Sequence, residues 1–247
     1  MRSIIVSGAL TALFVTSAAA QTPPPLRDVY VNVNLGFQAK SADFTEASGF
    51  PAYDEIAAFE TDHSIGGISF FDVSAGVRVW RNMSVGGAFT TRFNDSRNGN
   101  ISASIPHPLF HDAFREASGL TPLEYSERAI HLHALWSIPV DEQLDVALFA
   151  GPSFFTVKED LVQSISFGES SDFSAVTLNE IQTQRVSKGG AGFNLGIEGA
   201  YMFTRRVGAN ATIRFSHGKV DLPSAGGGES SVDAGGFDLA AGIRFRF

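Results

Sequence analysis

The chain ends in GGFDLAAGIRFRF, residues 235–247, and the side chains of this stretch alternate in character with a period of two. One set of alternate positions is apolar or aromatic: Phe237, Leu239, Ala241, Ile243, Phe245 and Phe247. The other set contains Asp238, Arg244 and Arg246. Because successive side chains of an extended strand point to opposite faces, this stretch predicts a strand with one apolar face and one charged face.

The composition argues against several classes of protein. The chain has 247 residues and a net charge of −8, which disfavours nucleic acid as a partner. It contains no cysteine, so it has neither a disulfide framework nor a cysteine-ligated metal site. The 22 phenylalanines and 25 glycines, with only 18% charged residues, favour a β-rich protein over a helical one.

Residues 1–20, MRSIIVSGALTALFVTSAAA, have the pattern of a signal peptide. Arg2 supplies a positive start, residues 4–15 form a short apolar segment, and Ala18 and Ala20 give the small-residue pattern that precedes cleavage. A transmembrane anchor is the alternative, but the apolar segment is short and no charged stop follows it. We therefore predict export, with a mature domain at residues 21–247.

The mature chain has no stretch that is apolar enough for a membrane helix, so a membrane crossing would have to use the strands of a closed barrel. Eight alternating segments are predicted as strands, at about 28–37, 64–79, 84–103, 125–138, 144–167, a segment ending at 203, 207–220 and 235–247.

The connections between these segments alternate between long and short. Short turns are predicted near 80–83, 139–143 and 204–206, and the longest loops at 40–62 and 104–124. This rhythm is typical of a membrane barrel with tight periplasmic turns and long external loops, and an even number of strands leaves both termini in the periplasm.

The signal peptide, the alternating strands and the terminal aromatic of GIRFRF, residues 242–247, resemble small bacterial outer-membrane β-barrel proteins of the OmpA, OmpX and OmpW kind. The resemblance implies an all-β fold, a single eight-stranded antiparallel transmembrane barrel, at the surface of a Gram-negative cell. It also implies that Ala241, Ile243, Phe245 and Phe247 form the C-terminal signal read by the barrel-assembly machinery. No peptidoglycan-binding domain is expected after the barrel.

A set of polar side chains is predicted to face the lumen: Asp72, Arg78, Arg92, His131, His133, Asp145, Glu198, Arg214, Asp238, Arg244 and Arg246. The lumen of an eight-stranded barrel is only wide enough for side chains, and charges there have to pair or stay hydrated. A structural network that plugs the lumen is the favoured interpretation. A narrow conduit that favours anions near the periplasmic mouth is the alternative. For His131 and His133, packing is favoured over metal binding or acid–base chemistry.

A second histidine pair lies in the loop at 104–124. His107 and His111 are four residues apart, with Asp112 beside them, and LFHDAFREA at 109–117 could form a short amphipathic helix. That spacing is compatible with a surface metal site, but a solvated loop helix is favoured. We predict no metal site and no cofactor.

Adjacent Ser216 and His217 are the candidate catalytic pair of a lipid-modifying hydrolase. Neighbours on a strand face opposite sides, and no nucleophile-elbow motif is present, so the protein is not expected to be an enzyme.

These observations favour an outer-membrane barrel with a structural or surface-interaction role, in contact with outer-membrane lipid or lipopolysaccharide and monomeric. A narrow channel for ions or small, even apolar, solutes is the first alternative, and a lipid-modifying enzyme the second. A soluble lipocalin-like barrel is the architectural alternative, and it would need an apolar inside. The acidic loop at 40–62 is interpreted as solvated, with divalent-cation bridging to lipopolysaccharide as its alternative.

Overall fold

The computed structural model describes residues 29–39, 42–65, 67–93, 95–223 and 229–247. The predicted signal peptide at 1–20 lies outside the described residues. Within those ranges the chain forms strands joined by turns, and none of it is a helix long and apolar enough to cross a membrane.

The described chain forms eleven antiparallel strands. Their bounds are β1 (Val29–Gln38), β2 (Ala42–Ala52), β3 (Glu55–Ile65), β4 (Ile68–Trp80), β5 (Met83–Arg92), β6 (Asp95–Pro106), β7 (Phe114–Pro139), β8 (Leu144–Glu169), β9 (Val176–Met202), β10 (Val207–Pro223) and β11 (Glu229–Arg246).

Eight of these strands close into a ring. The order around the ring is β1, β4, β5, β7, β8, β9, β10 and β11, and β11 pairs again with β1. At that closing seam, Val33 is opposite Ile243 and Leu35 is opposite Ala241. The predicted eight-stranded antiparallel barrel is therefore confirmed.

The other three strands lie at one end of the ring. β3 pairs with β2 and with β6, and β6 pairs with β7 from Phe114 to Tyr125. We call these three strands, together with the parts of β7, β8 and β9 that extend past the ring, the head. The opposite end is the turn end, where Val29 and Phe247 meet and where the short turns lie.

The head corrects three expectations. Most of the predicted loop at 40–62 is a hairpin of β2 and β3, and most of the loop at 104–124 belongs to β6 and β7. The strand predicted at 84–103 is two strands, because the pairing changes beyond Phe93. The possible helix at 109–117 is instead the turn between β6 and β7 and the start of β7.

These segments form strands, and not the predicted loops or helix, because buried and polar residues alternate along them. Ala57 and Phe59 of β3, and Ile101, Ala103 and Ile105 of β6, are buried every second residue. They form a shared apolar core, which we call the head core, with residues of β7, β8 and β9. A period of two buries these side chains in a sheet, whereas a helix would scatter them around its surface.

The barrel wall is apolar outside and polar inside. Leu35, Ile213 and Leu239 face outward and are 65%, 53% and 52% exposed, whereas Asn34 and Arg214 of the same strands face inward and are 2% and 3% exposed. A soluble ligand-binding barrel requires the reverse, so the lipocalin-like alternative is wrong. An exposed apolar surface of this extent suits contact with lipid.

The outward apolar side chains form a band around the ring, and the height of this band matches that of membrane barrels. On β10 the outward side chains run from Val207 to His217, with Lys219 above them. At about 3.4 Å per residue and a typical tilt of about 45°, this run rises about 24 Å, close to the apolar band of membrane barrels.

A second apolar group, which we call the closure cluster, lies inside the ring near the head. Its members are Ile68, Tyr125, Ala129, Phe155, Val157, Leu161, Val220, Leu222, Val232 and Ala234. Phe155 meets the His131 ring edge to face, with the ring centroids 6.0 Å apart. The interior toward the head is therefore apolar, whereas the rest of the lumen is mostly polar with a smaller apolar cluster of Leu135, Ala147 and Phe149.

Candidate functional site in the barrel lumen

Arg214 of β10 lies at the centre of the lumen. Its Nη1 is 3.1 Å from Asp72 Oδ2, and its Nη2 is 3.1 Å from Asp238 Oδ2. The same Nη2 donates to Thr90 Oγ1 at 2.9 Å. All four side chains are buried. Because they come from four different strands, the guanidinium of Arg214 links opposite walls of the barrel.

Arg92 of β5 extends this network toward the head. It pairs with Glu127, its Nη2 lies 3.3 Å from Asp238 Oδ1, and its Nε donates to Gln38 Oε1 at 2.8 Å. The Tyr125 hydroxyl donates to the other oxygen of Glu127 at 2.8 Å. The carboxylate of Asp238 is therefore shared by Arg92 and Arg214, and we call this connected group the central network.

A separate group surrounds Arg244 nearer the turn end. Arg244 pairs with Glu198, its Nε donates to Asn32 Oδ1 at 2.8 Å, and its guanidinium lies 4.2 Å from the centroid of the Tyr30 ring. Asn32 donates from Nδ2 to Glu198 Oε2 at 2.8 Å and to Ser74 Oγ at 3.0 Å. These bonds form a second polar group in the lumen, and Tyr30 also packs against the apolar cluster of Leu135, Ala147 and Phe149.

The turn end opens into a small vestibule. Its empty volume is about 430 Å³, counting the space open to solvent, and Arg78, Asp145, Arg244 and Arg246 help to line it. Arg246 Nη2 lies 2.6 Å from Asp145 Oδ2 in a partly exposed ion pair. Arg244 and Glu198, which pair with each other, line the inner end of the vestibule.

The two inward histidines contact each other, Ser153 and two phenylalanines. His131 Nδ1 is 2.7 Å from Ser153 Oγ, and the rings of His131 and His133 are stacked with their centroids 6.3 Å apart. The His133 ring packs on Phe149 at 4.7 Å. Within the described part of the chain, neither Nε2 atom has a hydrogen-bond partner. Among the described residues, no third His, Cys, Asp or Glu side chain joins this pair.

A glycine permits the tight packing above the central network. Phe70 is fully buried in the lumen, and its ring lies against Gly36 of the neighbouring strand β1. A Cβ atom on Gly36 would be 2.3 Å from Phe70 Cζ and 2.6 Å from the Leu239 carbonyl oxygen. Only glycine allows this large ring to fill the lumen at this level.

The structure brings most of the predicted lumen residues together. The central network contains Asp72, Arg92, Arg214 and Asp238, and the group below it contains Glu198 and Arg244. Asp145 and Arg246 pair at the turn end, where Arg78 lines the vestibule, and His131 and His133 stack on each other.

Sequence reasoning missed several members of these networks. Glu127 shares a strand face with His131 and His133, so counting back by twos along β7 would have found it. Asn32 alternates with the apolar Val31 and Val33 of the first predicted strand, so the same counting would have placed it in the lumen. Gln38, which bonds both Arg92 and the Gly235 carbonyl oxygen, lies on the same strand face as Asn32 but one residue beyond the predicted end of the first strand.

One exposed group in the head has the composition of a metal site. Ligand atoms of Glu55, His111 and Asp112 lie within 4.8 Å of one another, and His111 Nδ1 is 3.1 Å from Glu55 Oε1. His107, the other half of the predicted pair, instead accepts the Leu109 N–H at 3.1 Å. The pairing of His107 with His111 on a helix is therefore wrong.

The head also contains a cluster of polar side chains around Glu169. The Tyr53 hydroxyl donates to Glu169 Oε2 at 2.6 Å, and Arg115 Nη2 lies 2.5 Å from Oε1. Burial alone would raise the pKa of the Glu169 carboxyl, but the hydrogen bonds from Tyr53 and Arg115 outweigh it and lower that pKa below its ordinary value. The same hydrogen bond raises the pKa of the Tyr53 hydroxyl.

The candidate catalytic pair is divided by the wall of the barrel. Ser216 is 1% exposed and faces the lumen, whereas the half-buried His217 faces outward, with its ring centroid 6.1 Å from that of Phe193. The expectation that these neighbours point to opposite faces is met.

The sequence matches the family model described as an outer membrane protein beta-barrel domain over residues 6–245. No curated protein sequence matches the chain. Among solved structures, the chain is similar to neisserial surface protein A (NspA) at 16% identity and a TM-score of 0.41, covering 89% of this chain and 97% of that chain. It is similar to OprG from Pseudomonas aeruginosa at 11% identity and a TM-score of 0.43, covering 90% and 96%. It is also similar to Ail, the attachment invasion locus protein of Yersinia pestis, at 12% identity and a TM-score of 0.38, covering 87% and 98%. The chain belongs to the outer membrane protein beta-barrel domain family, whose members lie in the outer membrane of Gram-negative bacteria.

Proposed function

We propose that this protein is a non-catalytic barrel that closes its own lumen and presents the head for interactions at the cell surface. The central network supports this proposal, because Arg92, Asp238 and Arg214 span the lumen with their charges buried and mutually paired. The group around Arg244 and the closure cluster fill the lumen on either side of it. Three successive layers leave little room for a continuous water path.

The proposed orientation has the head outside the cell and the turn end in the periplasm, after removal of residues 1–20. The short turns and the ends of β1 and β11 share the turn end, and the long hairpins share the other. Outer-membrane barrels characteristically have short periplasmic turns and long extracellular loops. The protein acts as a monomer in this proposal.

The assembly signal remains part of the proposal. Ala241, Ile243, Phe245 and Phe247 all face outward near the turn end, and the Phe247 side chain is 69% exposed. An outward row of apolar side chains at the end of the last strand is accessible to an assembly machine before the barrel closes.

The absence of catalysis is proposed from the separation of Ser216 and His217. A lipid substrate reaches the outward face of the wall, where His217 lies, but the Ser216 hydroxyl is on the other side of the backbone. Incubation with lipid A and analysis by mass spectrometry would test this proposal. A change in the mass of lipid A that depends on Ser216 would contradict it.

Conductance is the decisive test of the closed lumen. We expect purified protein, shown to be folded by faster migration of the unboiled sample on an SDS gel, to give no steady current in planar bilayers. The variant Arg244→Ser is the matched test, because it opens only the layer next to the vestibule and leaves the central network in place. We expect it to be silent as well. A steady current from the folded wild-type protein would contradict the proposal.

A narrow channel is the second candidate, and the vestibule is the observation that favours it. Its inner end is the Arg244–Glu198 pair, which would then act as a gate for small solutes. If this candidate is right, the wild-type protein opens intermittently and Arg244→Ser conducts continuously. The same bilayer experiment therefore separates the two candidates.

A further inference from the structure

The outward face of β7 and β8 changes character at the upper edge of the apolar band. Ile130 and Phe154 are opposite each other and are 52% and 50% exposed, so they belong to the band. One step closer to the head on the same face, Arg128 is opposite Thr156, and on its other side it is opposite Thr91 of β5.

One further step brings a second cation. Lys158 of β8 is opposite Ser126 of β7 and Ser187 of β9, again on the outward face. Arg128 and Lys158 are therefore diagonal neighbours on adjacent strands, which typically places Cα atoms about 7–8 Å apart. Both side chains are exposed. Two long cationic side chains at this spacing can reach a single anion.

Neither cation is neutralised by the protein. Among the described residues, Arg128 and Lys158 have no ion pair or side-chain hydrogen bond. Two acidic side chains on this face, Glu124 of β7 and Asp160 of β8, lie one step beyond Lys158 toward the head. Both bind Arg185, whose Nε is 2.8 Å from Asp160 Oδ1 and whose Nη2 pairs with Glu124. Two unpaired cations next to each other stand out in a chain of net charge −8.

The surroundings favour an anion that carries an apolar tail. Below the cations lies the exposed apolar surface of Phe89, Ile130 and Phe154, in register across three neighbouring strands. Beside them lie the hydroxyl groups of Thr91, Thr156 and Ser126, which can donate hydrogen bonds to phosphate oxygens. A soluble phosphate would use the cations but leave the apolar surface unused.

We propose that Arg128 and Lys158 bind the phosphate group of a phosphorylated lipid in the outer leaflet, with its acyl chains against Phe89, Ile130 and Phe154. Arg128 suits bidentate hydrogen bonding to two phosphate oxygens, and Lys158 adds a point charge. This site rests on the proposed orientation, with the head outside, and does not depend on whether the lumen conducts.

The test is a calorimetric titration in which bisphosphorylated lipid A is added to the full-length barrel in detergent and the binding affinity is measured. We expect Arg128→Gln combined with Lys158→Gln to weaken binding by at least about tenfold, since two charge-assisted contacts are lost. Removing the phosphates from lipid A should weaken its binding to the wild-type protein by a similar factor. Arg128→Lys combined with Lys158→Arg should retain most of the affinity.

A matched control removes the same charge from the other end of the barrel. Arg205→Gln combined with Arg206→Gln changes two exposed arginines in the turn between β9 and β10, and we expect lipid binding to be unchanged. All variants alter exposed side chains, and unboiled SDS gels check that each is folded. If the double variant does not fold, the single variant Lys158→Gln takes its place in the lipid titration.

Three outcomes would overturn the proposal. The first is equal lipid affinity of the wild-type protein and the Arg128/Lys158 variant. The second is an equal loss in the Arg205/Arg206 control, which would indicate a general charge effect. The third is complete displacement of the lipid by millimolar inorganic phosphate, which would indicate a site for a soluble anion.

Discussion

Arg214 and Asp72 bind each other across the barrel, with Nη1 of the arginine 3.1 Å from Oδ2 of the aspartate, although 142 positions separate them in the chain. Their strands, β10 and β4, are three places apart in the ring of eight. The pair therefore connects regions of the wall that share no backbone hydrogen bond, and its contribution to stability can be tested directly.

Arg214→Ala is expected to destabilise the barrel by about 3–5 kcal/mol, because it leaves the buried carboxylates of Asp72 and Asp238 without their shared cation. Urea unfolding in detergent, followed by the loss of the fast-migrating band on unboiled gels, measures this change. Arg206→Ala, an exposed arginine at the turn end, is the control and should change stability by less than about 0.5 kcal/mol. Equal effects of the two substitutions would show that the central network does not stabilise the fold.

Gly36→Ala is expected to cost about 1–3 kcal/mol, since the new methyl group would collide with the Phe70 ring and the Leu239 carbonyl. Gly199→Ala is a matched control in the same barrel, because a Cβ atom at Gly199 has no atom within 4 Å. The midpoints of urea unfolding of the two variants should therefore differ. If they coincide, the Phe70 ring does not pack against Gly36 as described.

A charge on the outward face should lower the free energy of unfolding strongly at mid-height and only slightly at the rim of the apolar band. Ile213→Lys places a charge near the middle of the apolar band and should cost about 2–4 kcal/mol, whereas Thr156→Lys at the rim should cost about 0–1 kcal/mol. Unfolding of the barrel in lipid vesicles measures both values. A small cost at Ile213 would contradict the assignment of this face to lipid.

The Glu169 carboxyl should titrate below its ordinary pKa of about 4.3. Because the pKa is lowered in the folded protein, the stabilisation by Tyr53 and Arg115 is complete above the ordinary value and is lost as the pH falls through the folded value. Carboxyl carbon chemical shifts measured by NMR across an acid titration report the midpoint. Tyr53→Phe removes one hydrogen bond and should move the midpoint upward, and an unchanged midpoint would mean that the Tyr53 bond is not responsible.

The ring could be predicted from the sequence because apolar and polar residues alternate within each strand of the barrel wall. Phe237, Leu239 and Ile243 alternate with Asp238 and Arg244, and the structure places the first group outside and the second inside. Such an alternation depends on local backbone geometry and on the solvent on each side of the wall. It can therefore be recognised without knowing which side chains bind each other in the lumen.

The partners inside the lumen could not be predicted in the same way. Asp72 and Glu198 both face inward, but which arginine each one binds depends on strand tilt and stagger, which a list of inward residues does not contain. The head was missed for a different reason. Glu60 and Asp62 give β3 the composition of an acidic loop. Ala57 and Phe59 are buried only because they pack against strands that lie far along the chain.

The seam between β1 and β11 has a consequence for the rate of folding. The other pairings of the ring join strands that are close along the described chain, whereas Asn32 and Arg244 at the seam are 212 positions apart. Bringing together the ends of so long a chain costs more loop-closure entropy than forming any single hairpin, and contacts at such separation slow folding. The chain has no cysteine of its own, so fluorophores on cysteines introduced at Val31 and Phe245 would report when the seam forms. We expect them to approach later than a pair at Ala209 and Ile243, which makes the joining of first strand to last the slow step in producing a finished barrel.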